Sequence, residues 1–254
     1  MLTLAFALTL AINLGLGVLL GAVGGLLGIG GGLIAIPILG ALYGMDQHLA
    51  QGTALVMILP NVLIGFWRYH QRTPVDFRAL TWMIVLSIAS AALAAHFASR
   101  IGSNQLRSAF AVFLIALAAY FLWQLRAHPA MVPKALWPQR FTPVVGIVSG
   151  LMSGLFTIGG GLVSVPALVS LFGMRQTQAQ GIALALVIPA SVTALFSYAH
   201  EGNVDWSTGV PLALGGLVSV SWGVALAYRM PAVKLRLSFC VVLVGTAVAM
   251  LVRG

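Results

Sequence analysis

Charged residues are scarce in this sequence. Asp, Glu, Lys and Arg make up 7% of the chain, whereas roughly a quarter is usual in soluble domains. Only four residues are acidic, and all lie at the ends of apolar runs: Asp46, Asp76, Glu201 and Asp205. This scarcity excludes a water-soluble globule. It also argues against a paired-carboxylate cation site and against acid–base catalysis, so we predict that the protein is not an enzyme.

Cysteine is almost absent as well. The single cysteine, Cys240, lies in an apolar run, which excludes an internal disulfide framework and a cysteine-based metal site. No glycine cluster is followed by the Lys-Ser or Lys-Thr of a P-loop. The sequence therefore predicts no cofactor, no metal and no direct use of ATP.

Apolar residues are abundant: 60% of the chain is hydrophobic and the mean hydropathy is +1.04. Eight nearly uncharged segments are long enough to cross a bilayer: 3–43, 49–67, 79–99, 106–125, 141–172, 178–199, 207–228 and 235–252. The start of the first segment has no basic residue and is predicted to be retained rather than cleaved. The net charge of +9 comes from single basic residues in short connections. They are typical of topology signals, so we predict a lipid bilayer as partner and no nucleic acid.

The second half of the sequence repeats the first at a constant offset. Matched positions include Gly17, Gly21 and Gly25 with Gly146, Gly150 and Gly154; Gly30–Gly32 and Pro37 with Gly159–Gly161 and Pro166; and Gln51 and Tyr69 with Gln180 and Tyr198. A repeat of half the chain is typical of secondary transporters. We predict a first repeat at 1–125, a proline-containing linker at 126–140 and a second repeat at 141–254.

Both glycine clusters interrupt apolar segments that are too long for one helix. Each glycine costs about 1 kcal/mol in a helix interior, so a break is expected there. If the chain turns back at each break, ten of the 13 Lys and Arg residues fall on one side of the membrane; if it continues straight, the split is seven to six. Ten against three follows the positive-inside rule, and it places both chain ends on the non-cytoplasmic side.

These features predict an all-α polytopic membrane protein with two homologous inverted repeats. Each repeat has a Gly-rich broken or re-entrant helical hairpin followed by three transmembrane helices. The limb 33–43 would rise only ~16 Å as a helix, about half of the hydrocarbon core. We therefore expect half-length limbs whose irregular backbone lines a cavity.

The breaks are the first candidates for a substrate site, because free N–H groups at a helix start bind anions. These are Gly30, Gly31 and Gly32 with Gly159, Gly160 and Gly161. For Gly17, Gly21 and Gly25, close helix packing is favoured instead. Polar side chains inside apolar runs complete the candidate set: Gln51, Thr53, Asn61, Thr157, Gln180 and Ser191. We expect Gln51 and Gln180 to approach a shared cavity; the alternative for all six is interhelical hydrogen bonding.

Two further groups have open interpretations. His96 lies inside a span and is a candidate for proton coupling, with an interfacial anchor as the alternative. Arg68, Tyr69 and His70 close the second span, where they are typical of an interfacial belt or form an anion-attracting vestibule.

The run Gly24–Pro37, the motif Ala50-Gln51-Gly52-Thr53-Ala54 and their second copies at 150–166 and 179–183 resemble the sulfite exporter TauE/SafE family, of the toluene-sulfonate uptake permease group. The resemblance implies a multi-pass transporter of small sulfur-containing or organic anions, such as sulfite or sulfonates, in a bacterial inner membrane. Ile182 replaces Thr53 in the second copy, and Thr157 replaces Gly28. A channel-like anion pore is the alternative function, and a homo-oligomer is left open.

Overall fold

The computed structural model describes residues 2–75, 77–98, 103–127, 135–156 and 159–252. These residues form ten α-helices, one short 3-10 turn at Gln139–Phe141 and no strand. The helices are α1 (Leu2–Leu27), α2 (Gly32–Tyr43), α3 (Gln47–Arg72), α4 (Phe77–Ala98), α5 (Ser103–Ala127), α6 (Thr142–Phe156), α7 (Gly159–Phe172), α8 (Gln176–His200), α9 (Trp206–Arg229) and α10 (Ala232–Val252). The predicted all-helical class is confirmed.

The first glycine cluster breaks the first apolar segment between α1 and α2, as predicted. Gly28, Gly30 and Gly31 have φ angles of 70°, 71° and 88°. Residues other than glycine rarely adopt this left-handed backbone conformation. A Cβ on Gly31 would lie 2.7 Å from the carbonyl oxygen of Leu20, whereas eleven residues of straight helix would separate them by ~16 Å. The chain therefore doubles back here.

The second half also reverses at its break. A Cβ on Gly160 would lie 2.8 Å from the carbonyl oxygen of Ser149, again eleven residues earlier. Thr157 lies outside the described residues. The helices that follow the breaks are short, with 12 residues in α2 and 14 in α7. They would rise ~18 to 21 Å against a hydrocarbon core of ~30 Å.

Five helices in the described part of the chain are long and apolar enough to cross a membrane. They are Ala7–Leu27, Gln47–Arg72, Gln176–His200, Trp206–Arg229 and Ala232–Ala249. The second span ends at Arg72 rather than near residue 67, and Pro60 lies inside its continuous helix. A proline can be accommodated in a membrane helix because neighbouring groups satisfy the freed carbonyl.

Two of the four acidic residues begin helices. The Asp46 carboxylate accepts hydrogen bonds from backbone N–H groups in the first turn of α3, and Asp205 does the same for α9. Partial burial raises the pKa of Asp205, but hydrogen bonds from Ser207 and Thr208 outweigh it and the pKa is lowered. A lowered folded-state pKa stabilises the fold above the unfolded-state pKa, and this contribution is lost as the pH falls through the lowered value. These carboxylates serve as helix caps.

Glycines bring two pairs of helices into backbone contact. A Cβ on Gly17 of α1 would lie closer than 3.0 Å to the backbone of Leu212 in α9, and one on Gly146 of α6 would meet Met83 of α4 in the same way. The second pair is the repeat equivalent of the first, with the two halves exchanged. The same contacts recur one helical turn further on, where Gly21 meets Gly216 and Gly150 meets Ser87. The packing role predicted for Gly17 and Gly21 is confirmed.

We expect Gly21→Ala to destabilise the protein, because its Cβ would lie 2.5 Å from the Cα of Gly216. Gly15→Ala is the matched control in the same helix, since a Cβ there has nothing within 4 Å. Helix propensity alone favours both substitutions by about 1 kcal/mol. Thermal unfolding in detergent should show a lower Tm for Gly21→Ala and an unchanged or higher Tm for Gly15→Ala. Equal shifts of the two variants would contradict backbone packing at Gly21.

The helices α3 and α8 pack against each other in antiparallel directions. Close contacts join Gly65 to Leu184 and Gly181 to Tyr69, each at 3.0 Å from an ideal Cβ. Residues 52–58 of α3 and 179–186 of α8 are buried without interruption. This pair forms the core against which the two glycine breaks are placed.

Candidate functional site

The break between α1 and α2 leaves backbone donors without backbone partners. The N–H groups of Gly28 and Ile29 donate to the carbonyl of Gly24, and the next donors, Ile34 and Ala35, donate to Gly31. Between them, the N–H groups of residues 30–33 donate no backbone hydrogen bond to the described part of the chain. All four residues are buried. Buried N–H groups at the start of a helix favour a negatively charged partner.

A second unsatisfied group, the side chain of Asn61 on α3, lies in the same region. Asn61 is 0% exposed, and neither Nδ2 nor Oδ1 has a hydrogen-bond partner among the described residues. The amide lies 2.6 Å from an ideal Cβ on Gly216 of α9, which itself contacts Gly21 of α1. The next residue, Val62, contacts the position of Gly30. Asn61 is therefore adjacent in α3 to a residue that contacts the break.

An unpartnered buried amide is unfavourable by about 1–3 kcal/mol. Such groups are rare in native structures. The N–H groups of the break and the Asn61 Nδ2 are donors. Donors of this kind can bind an oxyanion without a cationic side chain.

Gln180, a predicted substrate contact, holds the break in place. It is 0% exposed, and its Nε2 donates to the Leu26 carbonyl at 3.1 Å. Its Oε1 lies 2.9 Å from the Tyr69 hydroxyl, which is also 2.9 Å from the Gly25 carbonyl. A Cβ on Gly28 would lie 2.5 Å from the Cβ of Gln180. Gln180 and Tyr69 thus clamp the end of α1 against α3 and α8.

Tyr69→Phe should lower stability, because Gln180 Oε1 would lose its buried partner at a cost of about 1–3 kcal/mol. The matched variant is Tyr198→Phe, whose hydroxyl donates to Gln51 Oε1 at 2.5 Å from a partly exposed position. We expect a larger drop in Tm for Tyr69→Phe, measured in the same detergent. A larger drop for Tyr198→Phe would contradict the assigned clamp.

The structure does not bring the two glutamines together. Gln51 bonds Tyr198 and Gln180 bonds Tyr69, which are again equivalent contacts with the halves exchanged. Because Gln51 and Tyr69 lie five helical turns apart on α3, the two pairs are separated by ~27 Å along the helix. The predicted approach of both glutamines to one cavity is wrong, since they lie at opposite ends of the α3–α8 pair.

The other predicted site residues are spread over the core. The Thr53 hydroxyl is buried and accepts the Asp205 N–H at 3.0 Å, so it joins α3 to the start of α9. Ser191 is 4% exposed on α8, and an ideal Cβ on Gly161 lies 3.1 Å from Val187 of that helix. Gly32 and Gly159 begin α2 and α7. His96 belongs to α4, but its side chain, like Thr157, lies outside the described part.

Tyr69 is the residue whose role the sequence interpretation misses. The sequence predicts an interfacial belt, but Tyr69 is 1% exposed and packs in the core. The signal that could have found it is its recurrence as Tyr198 in register with the glutamine repeat. In the described part of the chain, no three His, Cys, Asp or Glu residues form a group that could hold a metal ion.

The all-helical architecture and the five long apolar helices of the described residues are those of an integral membrane protein. The sequence profile described as "Sulfite exporter TauE/SafE" matches residues 13–250. The chain belongs to this family.

Relatives with the same general description match nearly the whole chain. A probable membrane transporter protein of Xylella fastidiosa (strain Temecula1 / ATCC 700964) is 30% identical over 251 residues, covering 96% of this chain and 95% of the relative. Another from Bacillus subtilis is 26% identical, covering 85% and 87%, and one from Methanocaldococcus jannaschii is 29% identical, covering 82% and 81%.

Proposed function

We propose that this protein is a secondary transporter of small sulfur-containing or organic anions, sulfite and sulfonates first among them, in a bacterial inner membrane. The observations that carry the proposal are the unsatisfied N–H groups at residues 30–33 and the unpartnered amide of Asn61, whose neighbour Val62 contacts the position of Gly30. Sulfite, sulfonate and carboxylate oxygens all accept hydrogen bonds from such donors. No catalytic step is proposed.

Neutral donors suit transport better than a buried arginine would. The partial positive charge at the start of α2 favours an anion by about 0.3–2 kcal/mol, depending on burial. Each hydrogen bond to a charged group adds about 1.5–3 kcal/mol. A few such contacts give an affinity that allows release, which a fully desolvated ion pair would resist.

We further propose that the repeats 1–125 and 141–254, joined by the linker 126–140, are inverted relative to each other and alternate access around this region. The exchanged contacts support the proposal: α1 packs on α9 as α6 packs on α4, and the Tyr–Gln pairs occur twice across α3 and α8. The second break at Gly159–Gly161, with Ser191, would then line the substrate site in the second repeat as the first break does in the first repeat. His96 is proposed as a proton-coupling residue.

The inverted arrangement predicts the positions of both chain ends. With ten of 13 basic residues on the cytoplasmic side, reporter fusions near the N-terminus and at Gly254 should report the periplasm, and one near Lys134 should report the cytoplasm. If Lys134 and Gly254 report the same compartment, the hairpin topology is wrong.

The transport proposal is tested in proteoliposomes containing the purified protein. Sulfite, an alkyl sulfonate and a small carboxylate are supplied with and without a pH gradient, with protein-free liposomes as control. Saturable movement of a sulfur oxyanion is expected, with counterflow of labelled substrate. Conductance without saturation or counterflow would instead favour the channel-like pore.

A further inference from the structure

A cavity of about 390 Å³, whose lining includes none of residues 30–33, lies between the start of α4, the 3-10 turn before α6 and the start of α8. Its rim is polar and basic, with Arg78, Arg140 and Gln178. Its inner wall is apolar and buried and includes Leu80, Met83 and Ile182. A basic rim above an apolar wall fits an amphiphilic anion.

The backbone that carries Arg140 is held in place. The N–H groups of Leu136 and Trp137 donate to the Leu171 carbonyl at the end of α7, at 2.8 and 3.0 Å. The Thr142 hydroxyl donates to the Gln139 carbonyl at 2.9 Å. The Arg140 guanidinium carbon lies 5.1 Å from the centroid of the Phe141 ring. The rim is therefore built on fixed backbone rather than on a free loop.

Exposed aromatic rings place this cavity at headgroup level. Trp82, in the cavity wall, is 59% exposed, and the neighbouring Trp137 and Phe141 are 44% and 42% exposed. Trp and other aromatic residues of this kind mark membrane–water interfaces. In the proposed topology, on which this step rests, the basic residues of the rim are on the side with ten of the 13 Lys and Arg residues, which is where anionic lipid is attracted.

The repeat gives an internal comparison. At the offset that relates Gly17 to Gly146, the rim positions Arg78, Arg140 and Gln178 correspond to Ser207, Ala11 and Leu49, so the equivalent place at the opposite side carries no cation. One acidic residue near the rim in sequence, Asp76, lies outside the described residues. The net charge around the rim stays positive when Asp76 is included, because Arg78, Arg140 and the nearby Arg175 outnumber it. The basic rim is thus a property of one side only.

We propose that the cavity binds the phosphate headgroup of an anionic phospholipid, with the glycerol and the first acyl methylenes against the apolar wall. Arg140 and Arg78 bind the phosphate oxygens, and the Gln178 amide binds the headgroup. The site uses α4, α6 and α8 and includes none of residues 30–33.

The test uses the full-length protein in detergent, titrated with phosphatidylglycerol and followed by native mass spectrometry. Phosphatidylcholine is the zwitterionic comparison, and glycerol phosphate is the free anion without acyl chains. The variant is Arg78→Gln/Arg140→Gln. The control is Arg229→Gln/Lys234→Gln, which removes the same charge from exposed residues on the same side in the proposed topology, outside the cavity.

Phosphatidylglycerol should bind more tightly than phosphatidylcholine, and the cavity variant should lose about tenfold or more of that affinity while the control retains it. If the double variant is not monodisperse, Arg140→Gln alone decides, because Arg140 is exposed. Equal losses in the cavity and control variants would overturn the proposal. So would equal affinity for glycerol phosphate and phosphatidylglycerol, which would indicate a site for free anions.

Discussion

Asn61→Leu is expected to weaken substrate binding while leaving the protein as stable as before or more stable. The side chain is fully buried without a hydrogen-bond partner among the described residues, so replacing the amide with an apolar group of similar size removes an unsatisfied polar group. If Asn61 binds the anion, the loss of its hydrogen bond should weaken sulfite binding by roughly tenfold to a hundredfold. Calorimetric titration with sulfite and thermal unfolding measure the two quantities on one preparation.

Thr53→Val is the matched control for this experiment. Thr53 is also 0% exposed on α3, but its hydroxyl accepts the Asp205 N–H at 3.0 Å. Removing a satisfied group should lower Tm and leave sulfite affinity nearly unchanged. Should Asn61→Leu lower Tm and retain affinity, Asn61 is a structural residue and the proposed anion site is wrong.

Gly31→Val is expected to reduce transport to the level of protein-free liposomes. Gly31 has a φ of 88°, which a β-branched residue rarely adopts. Its Cβ would lie 2.7 Å from the Leu20 carbonyl, so the break would have to move and the N–H groups of residues 30–33 with it. Uptake of labelled sulfite in proteoliposomes measures the effect, after insertion has been verified for the purified variant.

Gly44→Val is the control for Gly31→Val, because it introduces the same backbone strain without disturbing the proposed anion site. Gly44 ends α2 with a φ of 64°, is exposed, and would place a Cβ with nothing within 4 Å. Both variants therefore bear the strain of a β-branched residue at positive φ, but only Gly31→Val disturbs the break. Near-normal transport by Gly31→Val, or equal loss in both variants, would remove the first break from the substrate path.

The contacts at the two ends of α3 and α8 suggest how the clamps relate to transport. The Tyr69–Gln180 pair holds the end of α1 at the break, and the Tyr198–Gln51 pair lies at the opposite end of the two helices. Because Tyr198 and Gln51 are only partly buried, water competes for this pair more easily than for Tyr69. If access alternates, we expect the Tyr198 end to open first.

The helical fold, its breaks and its close packing followed from the sequence because they depend on local and periodic features. Apolar runs of ~20 residues predict spans, and a run such as Gly30–Gly32 cannot continue a buried helix without a cost of about 1 kcal/mol per residue. Glycines at four-residue spacing, such as Gly17 and Gly21, predict close approach of another helix. The half-chain repeat recurs in the packing, since the contact of Gly17 with Leu212 has its equivalent in that of Gly146 with Met83.

Only the tertiary structure decided which polar residues are satisfied. Gln180 and Asn61 are both uncharged amides in apolar helices, and their sequence contexts do not distinguish them. Gln180 meets Tyr69 and the Leu26 carbonyl, whereas Asn61 faces Gly216, which offers no side chain to bond. A hydrogen bond depends on the position and direction of a partner that is distant in the chain, and helix packing fixes that position while the residue type does not.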